Sequence, residues 1–130
     1  MKKVFLSMAF LAIVGLVSCK GEAKKETAST EVAQATATTE VSFGVRGNCA
    51  MCKMTIEKAA NSVAGVSHAD WDVEKKTIAV SYDASKANEM DIHHAIANSG
   101  YDTEKMESNK GNYSKLPGCC QYDHTMEMNQ

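Results

Sequence analysis

From Val41 onward the apolar positions change period in a definite order. Val41, Phe43 and Val45 alternate with polar or small residues, which predicts a strand. The loop Arg46-Gly47-Asn48-Cys49-Ala50-Met51-Cys52 follows. Cys52, Ile56, Ala59 or Ala60, and Val63 then recur at helical spacing, and Gly65 ends the helix. Ala69, Trp71 and Val73 alternate, Glu74-Lys75-Lys76 is a polar turn, and Ile78, Val80 and Tyr82 alternate after it. This is a β-hairpin pattern, with Phe43, Trp71 and Tyr82 as core candidates. Asp83-Ala84-Ser85 opens a second helix, with Ile92, Ala95, Ile96 and Ser99 on one face. Gly100 closes it, and Tyr101 to Met106 can form a last strand. The order β-α-β-β-α-β predicts an α+β domain over residues 41–107, a ferredoxin-like sandwich.

The flanks read differently. Lys2 and Lys3 precede a run from Val4 to Val17 that is apolar except for Ser7 and Gly15. That run is short for a spanning helix and suits a secretory leader. It ends Leu16-Val17-Ser18-Cys19, which resembles a bacterial lipoprotein signal. The resemblance implies cleavage after residue 18 and acylation of Cys19, anchoring the chain to a membrane of the bacterial cell envelope and facing the periplasm. By the same resemblance, Lys20, where an Asp would retain the protein, is compatible with the outer membrane. Residues 20–40 are rich in Ala, Thr, Glu and Lys, with Val32 the one large aliphatic. They form a flexible tether together with Cys19, spanning roughly 25 Å as a random coil. Residues 108–130 form a tail in which no regular structure is expected.

Composition narrows the function. Charged residues make up 23% of the 130, and the formal net charge is −2, which argues against a nucleic-acid partner. Five cysteines and eight methionines put the chemistry in sulfur. No catalytic acid, base or oxyanion device is visible, so the chain reads as a binding protein and not an enzyme.

Cys49 and Cys52 lie where the first strand passes into the first helix. Helix N–H groups and the macrodipole favour thiolate there. Two such sulfurs can converge on one soft ion, and thiolates select Cu(I) over hard cations. Two ligands leave the tetrahedral shell of structural Zn²⁺ unfilled. A structural disulfide and a redox dithiol are the alternatives for this pair. Met51, between the cysteines, reads as a loop side chain.

With its two cysteines, Cys52-x3-Ile56, Gly65-Val66 and Gly100-Tyr101, the segment 41–107 resembles the heavy-metal-associated domain. That family includes small copper chaperones, copper-ATPase amino-terminal domains and periplasmic mercury-binding proteins. The resemblance implies Cu(I) binding at Cys49 and Cys52, release by thiolate exchange, and a loop position for Tyr101 near the metal. It also implies a partner such as a copper-transporting ATPase or another metal-carrying envelope protein, with Hg(II) as an alternative cargo. Arg46-Gly47-Asn48 stands where the family usually has Gly-Met-Thr.

Cys119-Cys120 is outside that resemblance. A disulfide between neighbours is strained, so the two either approach the first pair or make a soft site of their own, with His124, Met126 and Met128 as further donors. A Zn(II) site from Cys49, Cys52, Cys119 and Cys120 is a third reading, against which the adjacent spacing counts. His68, His93 and His94 read as solvated surface histidines.

Overall fold

The computed structural model describes residues 38–130. The leader, Cys19 and the tether up to residue 37 lie outside the described residues. Three strands, β1 (Thr38–Gly44), β2 (Val66–Asp72) and β3 (Thr77–Asp83), form an antiparallel sheet in the order β1-β3-β2. Helices α1 (Ala50–Asn61) and α2 (Glu89–Asn98) follow β1 and β3 respectively, giving the α+β arrangement of the ferredoxin-like fold. β1 begins at Thr38, within the segment read as tether. None of the described helices is long and apolar enough to cross a membrane.

The period-2 and period-3.6 stripes meet in one core. Phe43, Val45, Trp71, Ile78, Val80 and Tyr82 come from the sheet side, and Cys52, Ile56, Ala60, Ile92 and Ile96 from the helices. Trp71 is fully buried, and its Nε1–H donates to the Val45 carbonyl at 3.1 Å. That bond satisfies a polar group that would otherwise be costly to bury.

The second helix starts later than Asp83-Ala84-Ser85. Asp83 Oδ1 accepts from the Ser85 N–H at 2.9 Å and the Ser85 hydroxyl at 2.6 Å, which makes a turn instead. Asn88 caps α2 in a reciprocal box with Asp91, each side chain accepting the other's N–H.

The fourth strand shrinks to one bridge, Val45 with Thr103. Its two ladder bonds are Arg46 N–H to Asp102 carbonyl at 2.9 Å and Glu104 N–H to Gly44 carbonyl at 3.0 Å. Beyond them the chain folds on itself, because the Thr103 N–H donates to the Met106 carbonyl at 2.8 Å. Asp102 Oδ1 takes the Ser108 N–H at 2.8 Å. Side chains and turn bonds thus outcompete the ladder.

His93 is buried and not a surface histidine. Its ring stacks on Phe43 with centroids 3.8 Å apart, Nδ1 pairs with Thr103 Oγ1 at 2.7 Å, and Nε2 faces Glu89 at 3.3 Å. Burial lowers its pKa, with Glu89 opposing. His68 and His94 are exposed, as the pattern predicts.

The tail is ordered and belongs to the core. It carries a short helix α3 (Lys110–Tyr113) and a 3-10 turn at Gly118–Cys120. Tyr122 is buried, and its hydroxyl accepts from the Asp102 N–H at 2.7 Å and donates to the Gly100 carbonyl at 3.1 Å. Tyr113 donates to the Tyr122 carbonyl at 2.6 Å. Further on, Arg46 Nε–H donates to the Met126 carbonyl at 2.7 Å, and the Gln130 N–H to the Lys75 carbonyl at 2.9 Å.

Candidate metal centre

β1 ends at Gly44, and the loop that follows carries Cys49 to the start of α1. Cys49 is the N-cap residue, with extended backbone (φ −150°, ψ 179°). Cys52 sits in the first turn and faces the core, where it is fully buried. The two sulfurs lie 3.7 Å apart. The Asn48 N–H donates to Cys52 Sγ at 3.3 Å, which ties the loop backbone to that sulfur. The Cys52 N–H is the main cause that lowers the Cys49 thiol to about 7; burial opposes it, and the Met51 N–H and Cys52 side chain add to it. Cys49 is therefore substantially thiolate near neutral pH.

The 3-10 turn brings the tail cysteines onto this loop. Cys49, Cys119 and Cys120 have their sulfurs all within 4.8 Å of one another. Cys119 is exposed and Cys120 buried, with 3.9 Å between the two sulfurs. Burial, and after it the neighbouring Cys52, pushes the Cys120 thiol up to about 12. Asn48 Nδ2–H clamps the two segments by donating to the carbonyls of Cys119 at 3.2 Å and Gln121 at 3.3 Å.

Tyr101 closes the inner wall. It is fully buried, and its hydroxyl has no hydrogen-bond partner among the described residues. Burial foremost, and then Cys52, raises its pKa, with Cys120 acting in the same sense. The loop position implied for Tyr101 thus becomes a place behind the sulfurs of both segments.

The other tail donors go elsewhere. His124 Nδ1 pairs with Asp102 at 2.6 Å, Met126 is half-buried against the core, and Met128 lies over Gly44. These contacts turn all three away from a role beside the cysteine sulfurs. Met51 does lie beside them: its Sδ accepts from the Cys119 thiol at 3.9 Å. In the sequence it is flanked by Ala50 and Cys52 and reads only as a loop side chain; the partner that gives it meaning is 68 residues away.

Comparison with known proteins places this geometry. Residues 47–102 match the heavy-metal-associated domain. Over 102 residues, 78% of the chain, it is 34% identical to the mercuric transport protein periplasmic component of Shigella flexneri, of which the match spans 93%. The chain belongs to the heavy-metal-associated domain family. Copper chaperone CopZ of Staphylococcus aureus is 38% identical over 55 residues, 42% of this chain and 81% of that protein. The crystal structure of oxidized MerP from Ralstonia metallidurans CH34 is 33% identical, with a TM-score of 0.50 over 52% of this chain and 96% of that one. The heavy-metal-associated domain match ends at residue 102, so Cys119 and Cys120 lie beyond it.

Proposed function

We propose that this protein carries a thiophilic metal ion in the bacterial cell envelope, taking it up on Cys49 and Cys52 and passing it on by thiolate exchange. The observation that carries this reading is the pair of sulfurs 3.7 Å apart at the start of α1, one of them lowered to about 7. A low-pKa thiolate both binds a soft ion at neutral pH and gives it up to a competing thiolate through a shared-ligand intermediate. The exposed side of the loop leaves room for a partner's sulfur to approach, since Cys49 is half-buried and Ala50 and Met51 are exposed. No bond of a substrate is made or broken beyond the metal–sulfur bonds, so this is transport and not catalysis.

Cu(I) is the cargo we assign. Its donor is a thiolate pair, and the heavy-metal-associated relatives include a copper chaperone. Hg(II) is the second reading, favoured by a match that runs along nearly the whole mercuric transport protein. The partner is a copper-transporting ATPase or another envelope protein with similar ligands. Acylated Cys19, carried by Leu16-Val17-Ser18-Cys19, ties the domain to the membrane.

Competition titration of the reduced chain against a chromogenic Cu(I) chelator tests the site. Replacing Cys49 and Cys52 by Ser should weaken the tightest site by more than roughly 100-fold while the far-ultraviolet circular dichroism stays unchanged. Unaltered affinity would remove the loop pair from the reading. A parallel titration with Hg(II) decides between cargoes, and a reduction-potential measurement separates carriage from thiol-disulfide exchange.

A further inference from the structure

The loop pair is not alone in its pocket. Cys49, Cys119 and Cys120 sulfurs all lie within 4.8 Å of one another, and Cys52 stands 3.7 Å from Cys49. Thiolates sharing one ion with metal–sulfur bonds of about 2.3 Å stand roughly 3.8–4.0 Å apart in tetrahedral or trigonal shells. The 3.7 Å and 3.9 Å separations already have that spacing. Adjacent cysteines are a poor ligand pair in an extended chain. Here the 3-10 turn at Gly118–Cys120 sends one sulfur inward and leaves the other at the rim, with both facing the loop.

We infer that Cys119 and Cys120 complete the site that Cys49 and Cys52 open, so that one thiophilic ion is held by sulfurs from both the α1 loop and the tail. The inference rests on the proposed metal-carrier function and deepens it.

Two further observations point the same way. The Tyr101 hydroxyl is fully buried and makes no hydrogen bond among the described residues, and after burial itself the Cys52 and Cys120 thiols are the groups that act on it. A buried donor without an acceptor is costly, and a metal-bound thiolate is the acceptor this place would supply. Asn48 and Cys49 both engage the backbone of Cys119, by an amide hydrogen bond at 3.2 Å and a thiol contact at 3.9 Å. The tail is therefore held at the loop by its backbone, and its sulfurs make weak thiol contacts, such as that from Cys119 to Met51 Sδ at 3.9 Å, which an ion can replace.

The arrangement also sets how the ion leaves. Cys120 is buried and Cys119 exposed, so a partner's thiolate meets Cys119 first. Displacing Cys119 and then lifting the turn reduces the shell to the loop pair, from which transfer proceeds. The tail acts as a tethered competitor for the ion, and its ligands raise retention until a partner replaces them.

The test compares the reduced full-length chain with Cys119→Ser/Cys120→Ser and with Cys49→Ser/Cys52→Ser, each loaded with Cu(I) and, separately, with Hg(II). X-ray absorption counts sulfur neighbours, and chelator competition gives stoichiometry and affinity. The wild type should bind one ion with about three or more sulfurs. The tail variant should still bind one ion, with about two sulfurs and an affinity lower by roughly 10–100-fold. A loss of sulfur neighbours with either metal supports the shared site. An unchanged sulfur count and affinity with both metals would overturn it while leaving the loop-pair function standing. Two independent ions on the wild type, falling to one in the tail variant, would overturn it as well. Only loss of binding that fails to appear in the Cys49/Cys52 variant would strike the carrier function itself.

Discussion

Asn48 holds Cys119 in place through the backbone, its side-chain amide donating to the Cys119 carbonyl at 3.2 Å and to the Gln121 carbonyl at 3.3 Å. The residue before the first loop cysteine thus fixes the position of the tail cysteines. Asn48→Ala removes both bonds from an exposed position, where a hydrogen bond contributes about 1 kcal/mol. Chemical denaturation should register a loss of that order. Cys120, now less tightly covered, should be alkylated faster in the native state, as read by mass mapping. An alkylation rate identical to wild type would show that Asn48 does not position the turn.

Cys49 and Cys120 should separate in a pH-dependent labelling experiment. The Cys52 N–H, against burial, holds Cys49 at about 7, whereas burial pushes Cys120 up to about 12. Thiolate is the form that reacts, so iodoacetamide labelling of Cys49 should rise through pH 7 and level off above it. Cys120 should stay nearly silent over the same range. Peptide mapping after short pulses at a series of pH values checks both.

Asp102 makes the fold sensitive to acid. Burial alone would raise its pKa, but His124 and the Ser108 N–H bring it down to about 2, and Arg46 lies 3.2 Å away. A carboxyl held below its unfolded value contributes stability that is complete above about pH 4 and is lost as pH falls through about 2. The linkage amounts to about 2 kcal/mol. The stability difference between wild type and Asp102→Asn should therefore shrink by that order between pH 5 and pH 2 in urea unfolding. A constant difference across that range would remove Asp102 from the acid response.

Tyr122→Phe should destabilise the domain without touching a sulfur. The hydroxyl serves the buried Asp102 N–H and the Gly100 carbonyl, and its loss leaves both without a side-chain partner. Orphaned buried groups cost about 1–3 kcal/mol. Thermal unfolding should show the loss, with metal stoichiometry unchanged in the folded protein.

The parts of this fold that obey a local period were legible. Ile56 and Ala60 on α1, Trp71 on β2 and Val80 on β3 announce their faces by spacing alone, and the structure buries each of them. The loop cysteines were legible because their separation and their place before a helix are local facts. The rest depends on partners far along the chain. The strand expected over Tyr101–Met106 fails because Asp102 and Thr103 spend their side chains and backbone on Ser108 and Met106. His93 looks like a surface residue until Phe43 and Thr103 arrive from other elements to enclose it. The tail's order follows from Tyr122 reaching Gly100 and Asp102, 22 and 20 residues back, a link no periodicity encodes. Its cysteines could be named from sequence, which left open whether they approach the loop or stand apart; the 3-10 turn and the Asn48 amide, which no local pattern announces, bring them to it.

The bond from Arg46 to the Met126 carbonyl joins positions 80 residues apart. Contacts of that separation form late, since a long loop must close before they return any energy. During synthesis the chain emerges from its amino-terminal end, so the α1 loop is exposed well before residues 119–126 exist to cover it. The nascent domain passes through a stage with two accessible cysteines and no lid. Any oxidant or metal present at that stage meets the loop sulfurs first, and their protection by the fold begins only once residues 119–126 have arrived.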